Sequence, residues 1–276
     1  MPLTLPKRKH LRVSDPVNQP SSARAAISVG TVTLIALILR LIAQNQLRTH
    51  VDEPASLLAV AMISETGMPT FPSGVLYLQG AVLSYLGAPL ARLYAGYDLL
   101  EAVRVINIGF SVLVVPITMK IVLHITRNLP AATLTGILVC CDPNLMLWGV
   151  LIRPYGLLTV MTVALAYIVI VLLTEGVNAH VGPIRAIYWV PVLSALGTFT
   201  HIGFWLAFPA VALMSVAVWQ APIQGALRVF ARCGPLAILP LAVFLILGRT
   251  AGIGSGTGSG ALGARWWVAT CLQSIA

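Results

Sequence analysis

Apolar residues fall in long blocks along the chain, and short polar breaks separate the blocks. Several blocks approach the roughly 20 mostly apolar residues that a helix needs to cross the hydrocarbon core of a bilayer. The pattern therefore predicts an all-α fold, a polytopic transmembrane helical bundle with about seven spans. The predicted spans cover residues 26–43, 103–123, 131–150, 157–173, 187–199, 204–219 and 236–247.

The segment between the first two predicted spans is mixed in character, and it holds most of the few acidic residues. Residues 56–65 suit an amphipathic helix that ends at Gly67 and Pro69. Residues 75–93 are apolar enough for a further span. We favour an interfacial helix in the first external loop, because it keeps the later charges on the expected sides of the membrane.

Composition agrees with a membrane protein, since 58% of the residues are hydrophobic and only 9% are charged. Soluble domains carry charge on about a quarter of their residues, so a soluble enzyme and a disordered chain are both excluded. The net charge of +9 comes from residues that are dispersed or lie in the N-terminal tail. We therefore expect no nucleic-acid partner. The four cysteines show no spacing typical of a metal site, and we expect no metal and no cofactor.

Charge also predicts the orientation of the chain. Residues 1–25 form a basic, proline-containing tail, which we place in the cytoplasm, and residues 26–276 form one transmembrane domain, expected to be incomplete at its C-terminus. Asp52 and Arg153 then lie outside the cell membrane, while the loop around Arg228 and Arg232 lies inside. An anionic ligand at the outer face would account for the seven arginines that this topology leaves there: Arg40, Arg48, Arg92, Arg104, Arg153, Arg249 and Arg265.

The strongest candidates for chemistry are the adjacent carboxylates of Asp52 and Glu53, just past the first span and close to Arg48 and His50. Ionisable residues close to a membrane core are costly and are functional candidates for that reason. A structural interpretation is also open, because an acid followed by Pro54 is typical of a helix N-terminus. The two interpretations are compatible, since a capped helix start would hold a carboxylate rigidly.

An ordered set of features over residues 26–220 resembles the GT-C membrane glycosyltransferases, of the protein mannosyltransferase and aminoarabinose transferase type. The features that carry the resemblance are Arg40-Leu41 ending the first span, Arg48-x-x-x-Asp52-Glu53, Pro72-Ser73-Gly74-x-x-Tyr77, Glu101-x-x-Arg104 opening a span, Arg153-x-Tyr155 after the third span, and Thr200-His201 outside the fifth.

This resemblance implies an inverting glycosyltransferase that moves a sugar from a polyprenyl-phosphate carrier in the membrane lipid to a hydroxyl or amine of an acceptor glycan, lipid or protein. The active site would lie on the external face of the plasma membrane. Asp52 would be the catalytic base, with Glu53 orienting Asp52 or the acceptor. The arginine fork suits phosphate, so Arg48, Arg104 and Arg153 are candidates for binding the lipid phosphate.

Four further residues are candidates for substrate binding, each with a structural alternative. Tyr77 falls in the segment that carries the resemblance. Asp142 is either a second carboxylate in the cavity or a cap on a helix broken by Pro143. Tyr155 is a candidate for binding the acceptor, although an interfacial aromatic belt accounts for it more simply. His201 fits a structural or cavity-lining role better than a catalytic one.

Two other functions remain open at this point. A non-enzymatic multispan transporter or assembly subunit would retain the fold, but we expect intramembrane charges paired along a central path in such a protein, whereas here the acids gather past the first span. A different enzyme acting on polyprenyl carriers, such as a phosphatase or ligase, would need a cluster of His or Arg acting on phosphorus. Only His50 and His201 are predicted outside.

Overall fold

The computed structural model describes residues 21–176 and 178–207, and beyond them residues 210, 231, 235 and 238–247. This part of the chain is mostly helical. Its elements, in chain order, are α1 (Ser22–Gln46), α2 (Glu53–Thr66), α3 (Ala81–Gly87), a 3-10 helix (Ala88–Arg92), α4 (Gly96–Thr126), α5 (Leu129–Cys141), α6 (Pro143–Val150), α7 (Tyr155–Thr174), the two-residue strands β1 (His180–Val181) and β2 (Ile184–Arg185), and α8 (Ala186–Thr200).

Three of these helices are long and apolar enough to cross a membrane, namely α1, α4 and α7. The pair α5 and α6 makes a fourth candidate span if it is taken as one helix bent by 57°. Helix α8 and the segment Ile238–Leu247 are apolar but shorter. The chain is thus a helical membrane protein with three to four candidate spans among the described residues, while the predicted span at 204–219 lies mostly outside them.

The break between α5 and α6 falls at Asp142-Pro143, as the sequence predicts. Proline lacks the N–H that would continue the helix, and it disfavours helical geometry at the residue before it. Asp142 accordingly has an extended backbone, and its carboxylate accepts a hydrogen bond from the backbone N–H of Leu145 at 2.8 Å. Of the two roles left open for Asp142, the structure therefore shows the second, a helix cap.

The segment between α1 and α4 contains short helices. Pro54 stands in the first turn of α2, and Gly67 ends that helix with a φ of +78°, a conformation that glycine adopts without steric penalty. Residues 75–93 form α3 and the 3-10 helix, of 7 and 5 residues. Both are far shorter than the roughly 20 residues that a span requires, so this segment is not a transmembrane helix.

Helix α4 is the centre of the bundle and packs against α1, α5 and α7. At 1.5 Å per residue its 31 residues extend about 46 Å, which exceeds the roughly 30 Å of a bilayer core. One core cluster joins Val32 and Ala36 of α1 to Met119 of α4 and Cys140 of α5. At Gly136 a Cβ would stand 2.5 Å from the Met119 sulfur, so the glycine lets the Met119 side chain pack directly against the backbone of α5.

The alternation of helix directions brings several chain segments to one end of the bundle. Helices α1, α6 and α8 end there, whereas α2, α4 and α7 begin there. A hydrogen bond of 2.8 Å from the backbone N–H of Gly80 to the carbonyl of Thr200 joins the α3 start to the α8 end. We call this region the Asp52 end of the bundle, since it holds Asp52 together with Arg153.

Candidate active site

Glu53 is the hub of a buried polar network at the Asp52 end. Its side chain has no exposure, and its carboxylate accepts four hydrogen bonds. Two come from Arg104, from Nε at 2.9 Å and from Nη2 at 2.7 Å. The backbone N–H groups of Ile152 and His50 donate the other two, at 2.8 and 2.7 Å. Glu53 therefore ties together the loop after α1, helix α4 and the link between α6 and α7.

The pKa of Glu53 reflects two opposing effects. Burial acts most strongly and on its own raises the pKa, because it disfavours the charged form. Glu53 also accepts hydrogen bonds from Arg104, Ile152 and His50, and it interacts with the positive charge of Arg104. These effects together outweigh burial, so the pKa of Glu53 lies below its ordinary value. Glu53 is thus ionised at neutral pH, and its carboxylate is committed to contacts within the protein.

Arg104 uses all of its five N–H donors inside the protein. Nε and Nη2 contact Glu53, Nη2 also donates to the carbonyl of Arg48 at 3.2 Å, and Nη1 donates to the carbonyl of Leu47 at 3.3 Å and to a carboxylate oxygen of Glu101 at 3.4 Å. The guanidinium is also fully buried. This geometry leaves Arg104 no donor for a lipid phosphate, in contrast to the role expected from the sequence, and gives it a structural role.

Asp52 differs from its neighbour, since its side chain is 46% exposed. Its Oδ2 lies 3.1 Å from Arg153 Nη2 and 3.6 Å from His50 Nδ1. Although Asp52 occupies the cap position of α2, its side chain makes no capping hydrogen bond. The side chain of Asp52 therefore does not act as a helix cap, because its carboxylate faces a cation and solvent rather than the helix start.

A chain of aromatic rings lies beside this ion pair. The Arg153 guanidinium lies over the ring of Tyr155, at 5.6 Å from its centroid. The Tyr155 ring packs against Trp148 at 5.0 Å and against His201 at 5.5 Å, and Trp148 lies 6.0 Å from His50. We call His50, Trp148, Tyr155 and His201 the aromatic cluster. Tyr155 and His201 are 46 positions apart in the sequence, yet their rings are in contact. They line one side of the site, next to the candidate base.

Tyr77 lies close enough to the same ion pair to interact with the charges of Asp52 and Arg153. The hydroxyl of Tyr77 lies 3.2 Å from that of Ser56 on α2. Burial raises the pKa of Tyr77, and its hydrogen bond to Ser56 opposes the rise without cancelling it, so the phenol stays protonated at neutral pH and cannot act as a base. The side chain of Arg48 is exposed, in contrast to that of Arg104.

His201 is a neutral imidazole at neutral pH. Burial lowers its pKa, and the charge of Arg153 lowers it further. Its Nδ1 accepts a hydrogen bond from the backbone N–H of Gly203 at 3.0 Å, which leaves the ring proton on Nε2. His201 is therefore a hydrogen-bond donor rather than a cation in this cluster.

The structure gathers some of the predicted site residues and separates others. Asp52, Arg153, Tyr155 and His201 come together, and Tyr77 lies close enough to interact with the charges of Asp52 and Arg153. Asp142 is at the other end of α6, about 12 Å along an eight-residue helix. Within the described ranges, no three His, Cys, Asp or Glu side chains meet as metal ligands.

Sequence reasoning did not identify Trp148 and Ser56. Trp148 lies in the apolar run before Arg153, where an aromatic residue alone cannot be told from a lipid-facing one. A signal was present in its spacing, because Trp148 and Tyr155 flank the short break around Arg153-Pro154 and rings on either side of so short a link lie near each other. Ser56 stands one turn after Asp52, so it faces the same side of the start of α2.

In comparisons with protein-family models, curated proteins and solved structures, the chain matches none of them.

Proposed function

We propose that this protein is a membrane glycosyltransferase that moves a sugar from a polyprenyl-phosphate carrier to a hydroxyl or amine acceptor, with inversion at the anomeric carbon. The observation that carries the proposal is the pairing of a half-exposed carboxylate, Asp52, with a cation, Arg153, beside the aromatic cluster. A buried network behind them holds both in place, because Glu53 binds Ile152, the neighbour of Arg153.

The proposed reaction needs a base for the acceptor and a cation for the leaving phosphate, on opposite faces of the anomeric carbon. The 3.1 Å contact between Asp52 and Arg153 therefore opens when the sugar binds between them. Asp52 takes the proton from the acceptor hydroxyl or amine as the new bond to the anomeric carbon forms. The bond from that carbon to the phosphate oxygen breaks, and its electron pair leaves on the phosphate. The leaving phosphate therefore gains negative charge, which a nearby guanidinium stabilises.

Arg153 and the exposed Arg48 are the arginines that we assign to the phosphate. Arg153 has one nitrogen on Asp52, and its Nε has no protein partner. Its guanidinium also lies on Tyr155, which fixes the plane of the fork. Arg104 is left out of this assignment, since its donors are already occupied.

The aromatic cluster supports a sugar rather than a purely anionic ligand. Sugar rings present apolar C–H faces, and aromatic rings offer a flat apolar surface of matching size. Trp148 and Tyr155 meet edge to face at 72°, so they make two walls of a corner rather than a single flat platform. His201, with its Nε2–H, provides a donor for a hydroxyl at that corner.

The proposal includes a membrane topology that is finer than the three to four candidate spans. The basic N-terminal tail lies in the cytoplasm, seven helices cross the plasma membrane, and the Asp52 end faces outward. A polyprenyl-phosphate donor suits this arrangement because its lipid tail stays in the bilayer beside α1 and α4. A soluble nucleotide sugar would be confined to the cytoplasmic side.

The donor class can be tested directly. Purified full-length protein in lipid nanodiscs would be given either a polyprenyl-phosphate sugar or the matching nucleotide sugar, with a mixture of hydroxyl and amine acceptors. We expect transfer from the lipid donor alone. Use of the nucleotide sugar without the lipid would contradict the proposal, and an absence of transfer together with saturable binding of another solute would favour the non-enzymatic alternative.

A further inference from the structure

The end of the bundle opposite Asp52 is strongly basic. Helices α1, α5 and α8 begin there, and α4 and α7 end there. Among the described residues, this end carries a single acid, Glu175, and four cations, which are Arg24, Lys120, Arg127 and Arg185. At the Asp52 end, by contrast, the described acids are at least as numerous as the arginines. The excess of positive charge at the opposite end indicates an anionic partner there.

Lys120 lies on the lipid-facing side of α4. The exposed positions Val105, Gly109, Leu113 and Lys120 fall on one face of this helix, because their spacing follows the helical repeat. An apolar face that stays exposed on a membrane helix contacts lipid. Lys120 stands at the end of this face, about 9 Å from the last residue of α4. A lysine at that depth extends its ammonium to the level of the lipid headgroups.

The ammonium of Lys120 is held in place without being neutralised. It lies 5.1 Å from the centroid of the Tyr167 ring on α7. A ring face attracts a cation but carries no net charge, and no described acid forms an ion pair with Lys120 or with the exposed Arg127. An ammonium has three N–H donors, so donors remain for a ligand. Both cations act electrostatically on the same histidine, His124, and therefore lie around one point.

His124 and Glu175 are engaged with each other and with α7. The Nε2 atom of His124 lies 3.1 Å from Thr174 Oγ1, and that hydroxyl donates its own hydrogen to a backbone carbonyl one turn earlier at 2.9 Å. The imidazole is therefore the donor in this contact. Its Nδ1 lies 3.9 Å from Glu175, and its ring meets Tyr167 edge to face at 6.2 Å. His124 thus fixes α4 against α7, and the acid at this end faces His124 rather than Lys120.

We propose that Lys120 and Arg127, together with the Tyr167 ring, bind the phosphate of an anionic phospholipid headgroup. Lys120 donates to the phosphate oxygens from the lipid-facing side, and Arg127 contacts the same headgroup from the helix end, where its fork suits phosphate. The acyl chains lie along the exposed face of α4. On the topology proposed above, the lipid belongs to the cytoplasmic leaflet, which is rich in anionic lipids. This inference does not depend on glycosyl transfer.

The apolar face and the charge select this ligand over two others. A soluble anion would gain nothing from Val105 and Leu113, which are 50% and 44% exposed along the same face as Lys120. A zwitterionic lipid brings a cation of its own close to its phosphate, and the excess positive charge at this end repels that cation. A lipid whose headgroup carries a net negative charge satisfies both the apolar face and the cations.

Native mass spectrometry of the full-length protein in detergent tests the site, with phosphatidylglycerol and phosphatidylcholine titrated separately. We expect the first phosphatidylglycerol to bind more tightly than the first phosphatidylcholine. Lys120→Gln should weaken phosphatidylglycerol binding about five-fold, since one cation near an anionic headgroup contributes about that much, and should leave phosphatidylcholine binding unchanged. Lys120→Arg should retain the affinity. Arg92→Gln, at an exposed arginine of the 3-10 helix, is the matched control and should change neither.

Three results of the titration would overturn the proposal. They are equal affinities for the two lipids, undiminished phosphatidylglycerol binding in Lys120→Gln, and displacement of the lipid by inorganic phosphate at equal concentration, which would assign the site to a soluble anion.

A second measurement leaves Lys120 unaltered. The chain has three lysines, Lys7, Lys9 and Lys120, so Lys7→Arg combined with Lys9→Arg leaves Lys120 as the single lysine. With ¹⁵N-labelled lysine in bilayers that contain phosphatidylglycerol, solid-state NMR would measure the dipolar coupling of Nζ to lipid ³¹P. We expect the Nζ signal to be dephased by phosphorus. An Nζ signal that phosphorus leaves unchanged would contradict the proposal, even where Lys120→Gln does not fold.

Discussion

Asp52 and Glu53 are neighbours with the same functional group, yet they lie in opposite surroundings. Glu53 is fully buried and accepts four hydrogen bonds, whereas the side chain of Asp52 is 46% exposed and faces Arg153 and His50. The difference arises where α2 begins, because consecutive helical residues point about 100° apart. One carboxylate therefore belongs to the framework, and the other remains accessible to a ligand.

The arginines divide in the same way. Arg104 satisfies Glu53 and three further acceptors, and it has no exposed surface. Arg153 keeps 22% of its side chain exposed and shares one nitrogen with Asp52. The buried carboxylate thus pairs with a buried arginine, and the exposed carboxylate pairs with a partly exposed arginine. An Asp-Glu pair can therefore place one carboxylate in the buried framework and leave its neighbour accessible to a ligand.

The largest effect should come from Asp52→Asn. Asn retains the shape of Asp but cannot take a proton as a carboxylate does, so we expect turnover with saturating lipid donor to fall about 100- to 10,000-fold. Thermal stability in detergent should change little, because an exposed ion pair contributes only about 0–1 kcal/mol. Glu65→Gln, which alters an exposed carboxylate at the other end of α2, should leave turnover unchanged.

Near-normal turnover in Asp52→Asn would remove Asp52 as the base. Unfolding of this variant would instead contradict the division between the two carboxylates, since Asp52 would then be part of the framework.

Glu53→Gln should have the opposite profile. The substitution leaves Arg104 buried without a counter-charge and turns an amide N–H₂ towards groups that are themselves donors. Breaking a buried ion pair in this way costs about 3–5 kcal/mol, so we expect a large fall in the unfolding temperature. A stable Glu53→Gln with lost turnover would show that Glu53, too, acts on substrate.

Arg153→Lys should have a smaller effect that appears mainly in the concentration of donor required. Lysine keeps the charge but loses the planar fork and its packing on Tyr155. A hydrogen bond to a charged group contributes about 1.5–3 kcal/mol, so we expect the KM for the lipid donor to rise about ten-fold or more. Arg92→Lys, at an exposed arginine of the 3-10 helix, is the matched control. Equal KM values in the two variants would exclude Arg153 from phosphate binding.

The smallest expected effect is on the pH dependence of stability, and it concerns Glu53. The pKa of Glu53 is lower in the folded protein than in the unfolded chain, where it is about 4.3. Its contribution is therefore fully present above that pH and is lost as the pH falls through the lower, folded value. We expect the unfolding temperature to fall in this acid range in the unaltered chain, and less steeply in Glu53→Gln. Equal slopes for the two proteins would contradict the assignment.

The long helices could be predicted from the sequence because lipid imposes a simple requirement of apolar length. The spans predicted at 26–43, 103–123 and 157–173 correspond to α1, α4 and α7. The N-terminus of α4 was less predictable, because the helix begins before the apolar run and includes polar residues such as Asp98 and Glu101. The predicted total of about seven spans stays a prediction, because much of the chain after residue 207 lies outside the described residues.

The division of labour within the site could not be predicted in the same way. The sequence shows Asp52 and Glu53 side by side, but the partners that distinguish them are 51 to 101 positions away, at Arg104 and Arg153. Arg104 and Arg153 likewise read as equivalent cations until their contacts are known. Burial and hydrogen bonding are tertiary properties, so a local pattern can nominate these residues without assigning their roles.

The contacts of residues 52 and 53 with residues 153 and 152 also bear on how the protein is made. Two consecutive residues meet two others in antiparallel order, with about a hundred residues in between. During synthesis the start of α2 leaves the ribosome long before its partners do. Glu53 must wait for α4, and Asp52 for the link before α7, before either has its final surroundings. The proposed site can therefore assemble only when more than half of the chain has been translated and the helices between have been inserted.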